Sequence, residues 1–452
     1  MKIIVIGANA AGLSAASAIR RMHKDWQIDV YEKDQYISYG SCGIPYYVAD
    51  DVKSLDALIT LTKEAMENKR KIPIHLFHEV TSVDFDKKEV VIKDFKSGNE
   101  LKENYDFLVI TTGGKSNTAK ISSDAELDHP RVFKVHTLGH AKRLKEFLTT
   151  TKINSAVIIG GGYIGLEMLE AYEAQGVKNL TLIGPRLNFR SESQDFIKKE
   201  LEVHNVKIIL KKRVKTIKSI SDEKLKVILA DGEEIETDLI QLSIGVVPAT
   251  EIFKNSKLQM LNNGAIVIDE FCRTNIENVY SAGDCAAVYH KLLKKNGYLP
   301  LAPAANKLGR LAGSIIAGKK VDPFAGIVGT STFKVFDLYC AQTGLSEQEA
   351  KDMGYNVEHI LITNNELAHY YPGARKMSIL LRFDVDSHLL LGAEITAPSS
   401  LGAKKIDVLA TALSTEMTID QIQQLDLSYA PPFAPTWDPI LIAANVARKK
   451  CK

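Results

Sequence analysis

The chain has 452 residues, of which 45% are apolar and 25% charged, and its 57 Lys and Arg side chains nearly balance 55 Asp and Glu side chains. This composition is typical of a globular protein of about two to four domains, and it excludes a collagenous or wholly disordered chain. The formal charge of +2 gives no support to nucleic-acid binding, and no apolar run approaches the roughly 18 residues of a membrane span, so we expect neither partner.

The N-terminal segment predicts a first dinucleotide-binding unit. Residues 2–6 read as a short buried strand, followed by a glycine turn and an Ala-rich helix. Gly7 permits the tight turn, Gly12 permits close packing of helix on strand, and Glu32 ends the next strand, where a carboxylate accepts hydrogen bonds from a ribose. Asn9 replaces the middle glycine of the fingerprint, so the evidence comes from the whole strand–turn–helix context.

A second unit of the same kind follows in residues 156–186. Its strand leads into a complete GxGxxG sequence from Gly160 to Gly165. At the end of its second strand stand Gly184 and Arg186, where the first unit has Glu32. Without a carboxylate to bind a free 2′-hydroxyl, and with an arginine to pair with a 2′-phosphate, the segment favours NADPH over NADH. The alternative is that Arg186 is a solvated loop charge and the site accepts both.

Two nucleotide-binding units in one chain suggest a hydride relay from a diffusible donor to a bound flavin. Two further strands, ending in the turn 111–114 and at Asp284, are compatible with this arrangement.

The segment 38–47 contains Cys42 without a second cysteine nearby. A lone cysteine cannot close an intramolecular disulfide, so it must alternate between a thiolate and a sulfenic acid or a mixed disulfide. Pro45 suits the first turn of a helix, and a helix N-terminus predicts a lowered pKa for Cys42. The other four cysteines, Cys272, Cys285, Cys340 and Cys451, have no such setting and are interpreted as structural or incidental.

These elements, in this order, resemble the FAD-dependent pyridine-nucleotide disulfide oxidoreductase family, and within it the single-cysteine group of coenzyme A-disulfide reductases and NADH oxidases. The resemblance implies an α/β fold with two Rossmann-like dinucleotide-binding domains, for FAD and NAD(P)H, plus an α+β C-terminal dimerisation domain. The implied domains are 1–120 with 253–325 for FAD, 121–252 for NAD(P)H and 326–452 for the dimer interface.

Within the group, the oxidases and peroxidases carry a histidine where this chain has Ala10. The CoA-disulfide reductases resemble the chain at Cys42 and at the YYPG and YAPP motifs, which implies that Tyr370 and Tyr429 reach the active site from the partner subunit. The resemblance therefore implies a homodimeric CoA-disulfide reductase that forms a Cys42–CoA mixed disulfide. The alternatives are an NAD(P)H oxidase of the same fold and a non-catalytic redox sensor.

The resemblance also implies positions that contact the cofactors, and these are Gly7, Ala11, Gly12, Glu32, Lys33, Val80, Thr112, Gly113, Gly160, Gly162, Tyr163, Ile164, Gly165, Glu167, Arg186, Gly245, Gly283, Asp284 and Ala302. The positions implied to contact CoA are Ser14, Arg21, Ser38, Ser41, Arg70, Asn306 and Trp437. We expect no metal site, because the chain has no HExxH sequence and its HxxxH pair, His136 and His140, lacks a third ligand nearby. Five widely spaced cysteines without a CxxC pair favour a reducing, cytoplasmic setting. The resemblance to CoA-disulfide reductases implies a role in thiol redox homeostasis.

Overall fold

The structure is a computed structural model that describes residues 1–118, 121–189 and 192–452. Up to residue 118 the elements are β1 (Lys2–Ile6), α1 (Ala10–Met22), β2 (Gln27–Glu32), α2 (Ile44–Val48), β3 (Ile74–Leu76), β4 (His78–Asp84), β5 (Glu89–Asp94), β6 (Glu100–Asn104), β7 (Phe107–Ile110) and β8 (Gly114–Ser116). From 121 to 253 they are β9 (Val132–Lys134), α3 (Leu138–Thr150), β10 (Ser155–Gly161), α4 (Tyr163–Ala174), β11 (Asn179–Leu187), α5 (Gln194–Val203), β12 (Lys207–Leu210), β13 (Val214–Ser221), β14 (Lys224–Leu229), β15 (Glu234–Thr237), β16 (Leu239–Leu242) and β17 (Val246–Pro248). After residue 253 they are β18 (Val279–Ser281), β19 (Val288–His290), β20 (Lys295–Gly297), α6 (Ala302–Ile316), β21 (Ser331–Val335), β22 (Leu338–Gly344), α7 (Glu347–Asp352), β23 (Val357–Asn365), β24 (Lys376–Asp384), β25 (Leu390–Ala397), α8 (Ser400–Lys404), α9 (Ile406–Ser414), α10 (Ile419–Gln423) and α11 (Pro439–Arg448).

The first unit is a five-stranded parallel sheet in the order β18–β7–β1–β2–β3. Its central strand β1 is fully buried at residues 3–5, as expected of a parallel strand covered on both faces. Helix α6 lies directly against α1, because Gly309 and Gly313 carry no side chain there. A Cβ at either glycine would lie 2.2 Å from a backbone oxygen of α1.

The second unit repeats this plan as a parallel sheet in the order β12–β11–β10–β16–β9. Each unit also carries a three-stranded antiparallel meander, β4–β6 in the first and β13–β15 in the second. The predicted strand–turn–helix starts are confirmed in both units. One detail differs from the sequence expectation, since β11 continues past Gly184 to Leu187.

The third unit is an antiparallel sheet in the order β21–β22–β25–β24–β23. Strand β25 is buried along its whole length, and α8 to α11 supply apolar side chains to the core that it shares with β24. The predicted α/β class with an α+β C-terminal region is therefore confirmed. Among the described residues, no helix has both the length and the apolar character needed to cross a bilayer.

Strand β18 joins the sheet of β1 although the whole second unit lies between them in the chain. This supports a discontinuous first domain, while the domain boundaries stay a prediction. The boundary predicted at residue 120 lies outside the described residues.

Candidate functional site

A cavity of about 2560 Å³ runs along both glycine loops and reaches Cys42. The predicted site residues that line it are Gly7, Ala11, Ser14, Arg21, Glu32, Lys33, Ser38, Ser41, Cys42, Arg70, Val80, Thr112, Gly113, Gly160, Gly162, Tyr163, Ile164, Glu167, Arg186, Gly245, Gly283, Asp284, Ala302 and Asn306. The predicted site residues outside this lining are Gly12, Gly165, Tyr370, Tyr429 and Trp437. The structure thus brings most of the predicted cofactor and substrate positions to one cavity.

The first glycine loop is shaped by the absence of side chains. Gly7 has a φ of +101°, and a Cβ on it would lie 2.2 Å from the carbonyl oxygen of Thr111. A Cβ on Gly12 would lie 2.0 Å from the carbonyl oxygen of Gly7, so close packing of the loop requires glycine at this position. Helix α1 begins at Asn9 without a side-chain cap or an acidic residue in its first turn, which leaves N–H groups available to a phosphate.

Glu32 is a half-buried carboxylate at the carboxyl end of β2. Its two oxygens accept hydrogen bonds from the backbone N–H of Ala8 (2.8 Å) and of Asp34 (3.0 Å). Burial raises its pKa despite these bonds. The free loop N–H groups and this fixed acceptor fit the pyrophosphate and ribose of a dinucleotide such as FAD.

The second glycine loop is shaped in the same way, by backbone atoms that leave no room for a Cβ. Gly160 has a φ of +116°, and a Cβ on it would lie 2.2 Å from the carbonyl oxygen of Ser243. A Cβ on Gly165 would lie 1.9 Å from the carbonyl oxygen of Gly160. Gly162 starts α4 without a side-chain cap and faces open space, so a phosphate has access to the helix N-terminus. These residues fit a second dinucleotide.

Basic side chains cluster beyond the second loop, where β11 and β12 end at one edge of the sheet. Arg186, Lys212 and Arg213 all line the cavity. Lys212 also pairs with Asp231 at 2.8 Å and with Glu233. The sequence analysis missed Lys212 and Arg213, although a basic run directly after a strand of this sheet was a usable signal.

Cys42 lies in a single helical turn, Ser41–Gly43, directly before α2, and Pro45 is in the first turn of α2 as predicted. The prediction of a lowered thiol pKa is wrong for this chain. Partial burial raises the pKa of Cys42, and the carboxylates of Glu167 and Asp284 raise it further. Helix α2 has only five residues, so its dipole is outweighed, and the Ser41 side chain supplies a smaller opposing hydrogen bond.

Glu167 links the second loop to the cysteine segment. Its carboxylate accepts a hydrogen bond from the Tyr46 hydroxyl at 3.1 Å. Burial raises the pKa of Glu167 to about 7, a value at which it exchanges protons near neutrality. The sequence analysis named Glu167 as a cofactor contact but did not connect it with Tyr46 or Cys42.

The predicted CoA contacts take part in three hydrogen-bonded pairs along the wall of the cavity. The Ser14 hydroxyl donates to Asn306 Oδ1 at 2.9 Å, which joins α1 to α6. Arg70 donates to the Ser17 hydroxyl at 2.6 Å, close to Arg21 on the same helix. Ser38 exchanges a hydrogen bond with Thr60 at 2.7 Å. Cationic and hydroxyl groups thus occupy the cavity that also contains Cys42.

Tyr370 and Tyr429 lie apart from this wall, on the third unit. Their hydroxyls are 3.1 Å apart, and the two side chains are 63% and 47% exposed. The hydrogen bond raises the pKa of Tyr370 and lowers that of Tyr429. Trp437 and Phe433 are each 58% exposed on the same unit. This exposed aromatic surface is compatible with contributions to another subunit's site.

Family comparisons agree with this architecture. The model of the pyridine nucleotide-disulphide oxidoreductase family matches residues 1–309, and the model of the dimerisation domain of that family matches residues 330–439.

Individual relatives cover nearly the whole chain. A CoA-dependent NAD(P)H sulfur oxidoreductase from Pyrococcus furiosus is 36% identical over 99% of both chains. An NADH oxidase from Methanocaldococcus jannaschii is 30% identical over 100% of this chain and 99% of its own. A coenzyme A disulfide reductase from Staphylococcus epidermidis is 28% identical over 96% of both.

Solved structures superpose closely. The reduced CoADR-RHD protein of Bacillus anthracis has a TM-score of 0.94 and 30% identity, covering 99% of this chain and 80% of its own. An engineered water-forming NADPH oxidase, derived from the Lactobacillus brevis NADH oxidase and bound to NADPH, has a TM-score of 0.93 and 30% identity, covering 100% of this chain and 99% of its own. Its engineered substitutions replace an aspartate by alanine and introduce two arginines.

Proposed function

The chain belongs to the pyridine nucleotide-disulphide oxidoreductase family, and from this premise we propose that it reduces CoA disulfide to two CoA with NADPH, through FAD and Cys42. The observation that carries the proposal is the position of Cys42. It shares one cavity with both glycine loops and with Ser14, Arg70 and Asn306.

FAD would be held by the Gly7 loop, Glu32 and the segment around Asp284, and NADPH by the Gly160 loop and Arg186. When bound, the flavin supplies electron transfer from the nicotinamide to sulfur. The support for NADPH is Arg186 at the end of β11, where Gly184 offers no carboxylate against a 2′-phosphate. In the engineered NADPH oxidase, an aspartate was replaced by alanine and two arginines were introduced, which is the same combination of a missing carboxylate and an added arginine.

Cys42 would act as the nucleophile. Its thiolate attacks one sulfur of CoA disulfide, forms a Cys42–CoA disulfide and displaces one CoA thiolate. Two electrons from NADPH then cleave the mixed disulfide to the Cys42 thiolate and a second CoA thiolate. The sum is one NADPH and one proton consumed for each CoA disulfide, with two CoA thiols formed, and the Cys42–CoA adduct is the oxidised resting form.

The leaving CoA thiolate needs a proton, which we assign to Tyr429 of the partner subunit. The support is the hydrogen bond to Tyr370, which stabilises the Tyr429 phenolate and lowers the pKa of Tyr429. Because the two tyrosines lie outside the cavity lining of their own chain, the proposal requires a homodimer with a shared site. The match to a dimerisation domain at 330–439 supports that assembly.

The remaining assignments are proposed with the function. They are the cofactor and CoA contacts predicted above, the division into a discontinuous FAD domain, an NAD(P)H domain and an interface domain, and a cytoplasmic setting. All five cysteines are free thiols in the structure, which suits a reducing compartment.

The test is NADPH consumption by the purified holoenzyme in air, before and after addition of CoA disulfide, with free thiols counted in parallel. We expect a CoA disulfide-dependent rate and two thiols for each NADPH. Cys42→Ser should lose this activity and retain FAD, whereas Cys451→Ser, which removes a thiol from the C-terminus, should retain both. Turnover of CoA disulfide by Cys42→Ser would contradict the mechanism.

A second candidate is CoA-dependent reduction of sulfur or polysulfide. It is favoured by the Pyrococcus furiosus relative, whose 36% identity exceeds the 28% of the staphylococcal CoA disulfide reductase. Sulfide release that requires both NADPH and catalytic CoA, with CoA disulfide a poorer acceptor, would favour this candidate. Fast NADPH consumption in air that does not increase with either acceptor would favour the oxidase alternative. In that case the reaction would proceed without the histidine that the oxidases carry at the position of Ala10.

A further inference from the structure

Away from the cavity, three potential metal ligands meet where the second unit contacts the third. Glu200 lies in the last turn of α5 and His204 directly follows that helix, so the two share one helix face at a spacing of four residues. Asp337 lies in the tight turn between β21 and β22. One ligand atom from each of the three side chains lies within 4.8 Å of the others.

The turn is fixed against the helix by direct contacts. The Phe336 ring stacks on the His204 imidazole with centroids 3.7 Å apart and planes at 7°. The backbone N–H of Asp337 donates to Glu200 Oε1 at 2.7 Å. These contacts hold the carboxylates of Asp337 and Glu200 beside the histidine.

The protons of His204 can be assigned from its neighbours. Nδ1 lies 3.0 and 3.1 Å from the two carboxylate oxygens of Glu173, which are acceptors only, so Nδ1 carries a proton. Nε2 lies 3.8 Å from Glu200 Oε1, too far for a hydrogen bond. In the neutral imidazole, Nε2 therefore carries a lone pair on the side of Glu200, whose carboxylate is also an acceptor.

The cluster places three carboxylates and one imidazole together. Among the described residues, no Lys or Arg pairs with the carboxylates of Glu173, Glu200 or Asp337. A cation between Nε2 and the two carboxylates would supply the missing positive charge. A histidine that ligates a metal also usually donates its other N–H to a carboxylate, which is the role that Glu173 occupies.

We propose that Glu200, His204 and Asp337 bind a divalent transition-metal ion, with Zn²⁺ as the representative case, and that Glu173 orients His204. One nitrogen and two oxygen ligands suit zinc better than magnesium or calcium, which prefer oxygen alone. Ligand atoms of a tetrahedral zinc site are about 3.3 Å apart, so modest side-chain rotation would close the site, and water would complete it. The ion would tie α5 of the second unit to the β21–β22 turn of the third. The sequence analysis expected no metal site because it found neither an HExxH sequence nor a third ligand near His136 and His140. It could not join Asp337 to Glu200 and His204, from which it is distant in the chain.

The test is Zn²⁺ binding to chelator-treated, FAD-containing protein, measured by competition with a chromophoric chelator. We expect one site that survives in Cys42→Ser, since the active-site thiol is a competing ligand. Asp337→Asn and His204→Gln should abolish it. Glu173→Gln should weaken it about 10- to 100-fold, as other substitutions of an orienting carboxylate do. Glu202→Gln, an exposed change on the same segment, should have no effect.

Asp337→Asn guards against misfolding, because Asp337 is exposed and its hydrogen bond to Glu200 comes from the backbone N–H, which the substitution keeps. Zn²⁺ should raise the melting temperature of the wild type and leave that of Asp337→Asn unchanged. Co²⁺ should give a visible spectrum with the wild type that Asp337→Asn lacks. Equal Zn²⁺ affinity in the wild type, Asp337→Asn and His204→Gln, or binding that disappears only in Cys42→Ser, would overturn the proposal. Neither result depends on the substrate assigned to the enzyme.

Discussion

The two glycine-loop units share one steric design and differ at the end of the second strand. In each, the first glycine has a positive φ, and a Cβ on it would lie 2.2 Å from a carbonyl oxygen of another strand end. The first unit then places Glu32 at the end of β2, whereas β11 continues through Gly184 to Arg186. The loops therefore share one steric geometry, and we expect the following strand ends to distinguish the two nucleotides.

The largest effect should come from filling the last glycine of each loop. Gly12→Ala places a Cβ 2.0 Å from the Gly7 oxygen and should yield protein that does not retain flavin. Gly165→Ala meets the Gly160 oxygen at 1.9 Å and should retain flavin but lose NADPH binding. Flavin absorbance after purification and titration with NADPH would distinguish the two.

Gly139→Ala is the matched control, because a Cβ at this helical glycine meets its nearest neighbour at 3.7 Å. It should leave both ligands bound. Loss of flavin in Gly165→Ala but not in Gly12→Ala would mean that FAD binds the second loop and NADPH the first, which is the reverse of our assignment.

The strand–turn–helix start of each unit could be predicted from the sequence, because the glycines, Glu32 and Arg186 lie within short segments of the chain. The roles of Glu32 and Arg186 in nucleotide binding stay predictions. The direction of the pKa shift of Cys42 could not be predicted in this way, because burial of the thiol, with smaller contributions from Glu167 and Asp284, depends on distant parts of the chain. The same limit applies to Glu200, His204 and Asp337, which only the contact between units brings together. The paired tyrosines, Tyr370 and Tyr429, were found by resemblance, and their hydrogen bond required the structure.

The next largest effect should come from Arg186 near the end of β11, and it should change the preference between NADPH and NADH. Arg186→Gln should lower the preference for NADPH over NADH by about 10- to 100-fold, the usual effect of losing a hydrogen bond to a charged group. The change should appear as a higher KM for NADPH with that for NADH nearly unchanged. Lys178→Gln, an exposed lysine in the same unit, is the control.

Gly184→Glu extends this test, because it places a carboxylate in β11 at the position equivalent to Glu32 of the first unit. A Cβ there would lie 3.3 Å from Gly161 N, so a small shift of the loop accommodates it. We expect a further preference for NADH. An unchanged NADPH/NADH ratio in both variants would remove Gly184 and Arg186 from cofactor selection.

A smaller effect should come from Glu167, which occupies the position two residues after the last glycine of the second loop. Its carboxylate raises the pKa of Cys42, so Glu167→Gln should lower that pKa and shift the midpoint of thiol alkylation to lower pH. Iodoacetamide labelling of the reduced enzyme across pH measures this midpoint. Glu202→Gln should leave the pH midpoint of alkylation unchanged. An upward shift of this midpoint in Glu167→Gln would contradict the predicted effect of the Glu167 carboxylate on Cys42.

The same carboxyl group predicts a pH-dependent stability. Burial raises the pKa of Glu167 from 4.5 to about 7, so between these values the folded chain keeps a proton that the unfolded chain releases. The free energy of unfolding should therefore fall as pH rises through this window. Chemical denaturation at pH 5 and pH 8 should show a smaller decrease in Glu167→Gln than in the wild type.

The smallest effect should come from Ser14, which occupies in the first unit the position that Glu167 occupies in the second. Ser14 donates to Asn306 instead of contacting the cysteine segment. Ser14→Ala should raise the KM for CoA disulfide about 2- to 10-fold, the effect of one neutral hydrogen bond, and leave the KM for NADPH unchanged. Ser14→Glu should raise it further, because a carboxylate on this wall repels the phosphates of CoA. A changed KM for NADPH in both variants, with the KM for CoA disulfide unchanged, would mean that CoA does not bind along α1. Ser14 and Glu167 would then both contact the nicotinamide nucleotide, and the contrast between the two positions would be wrong.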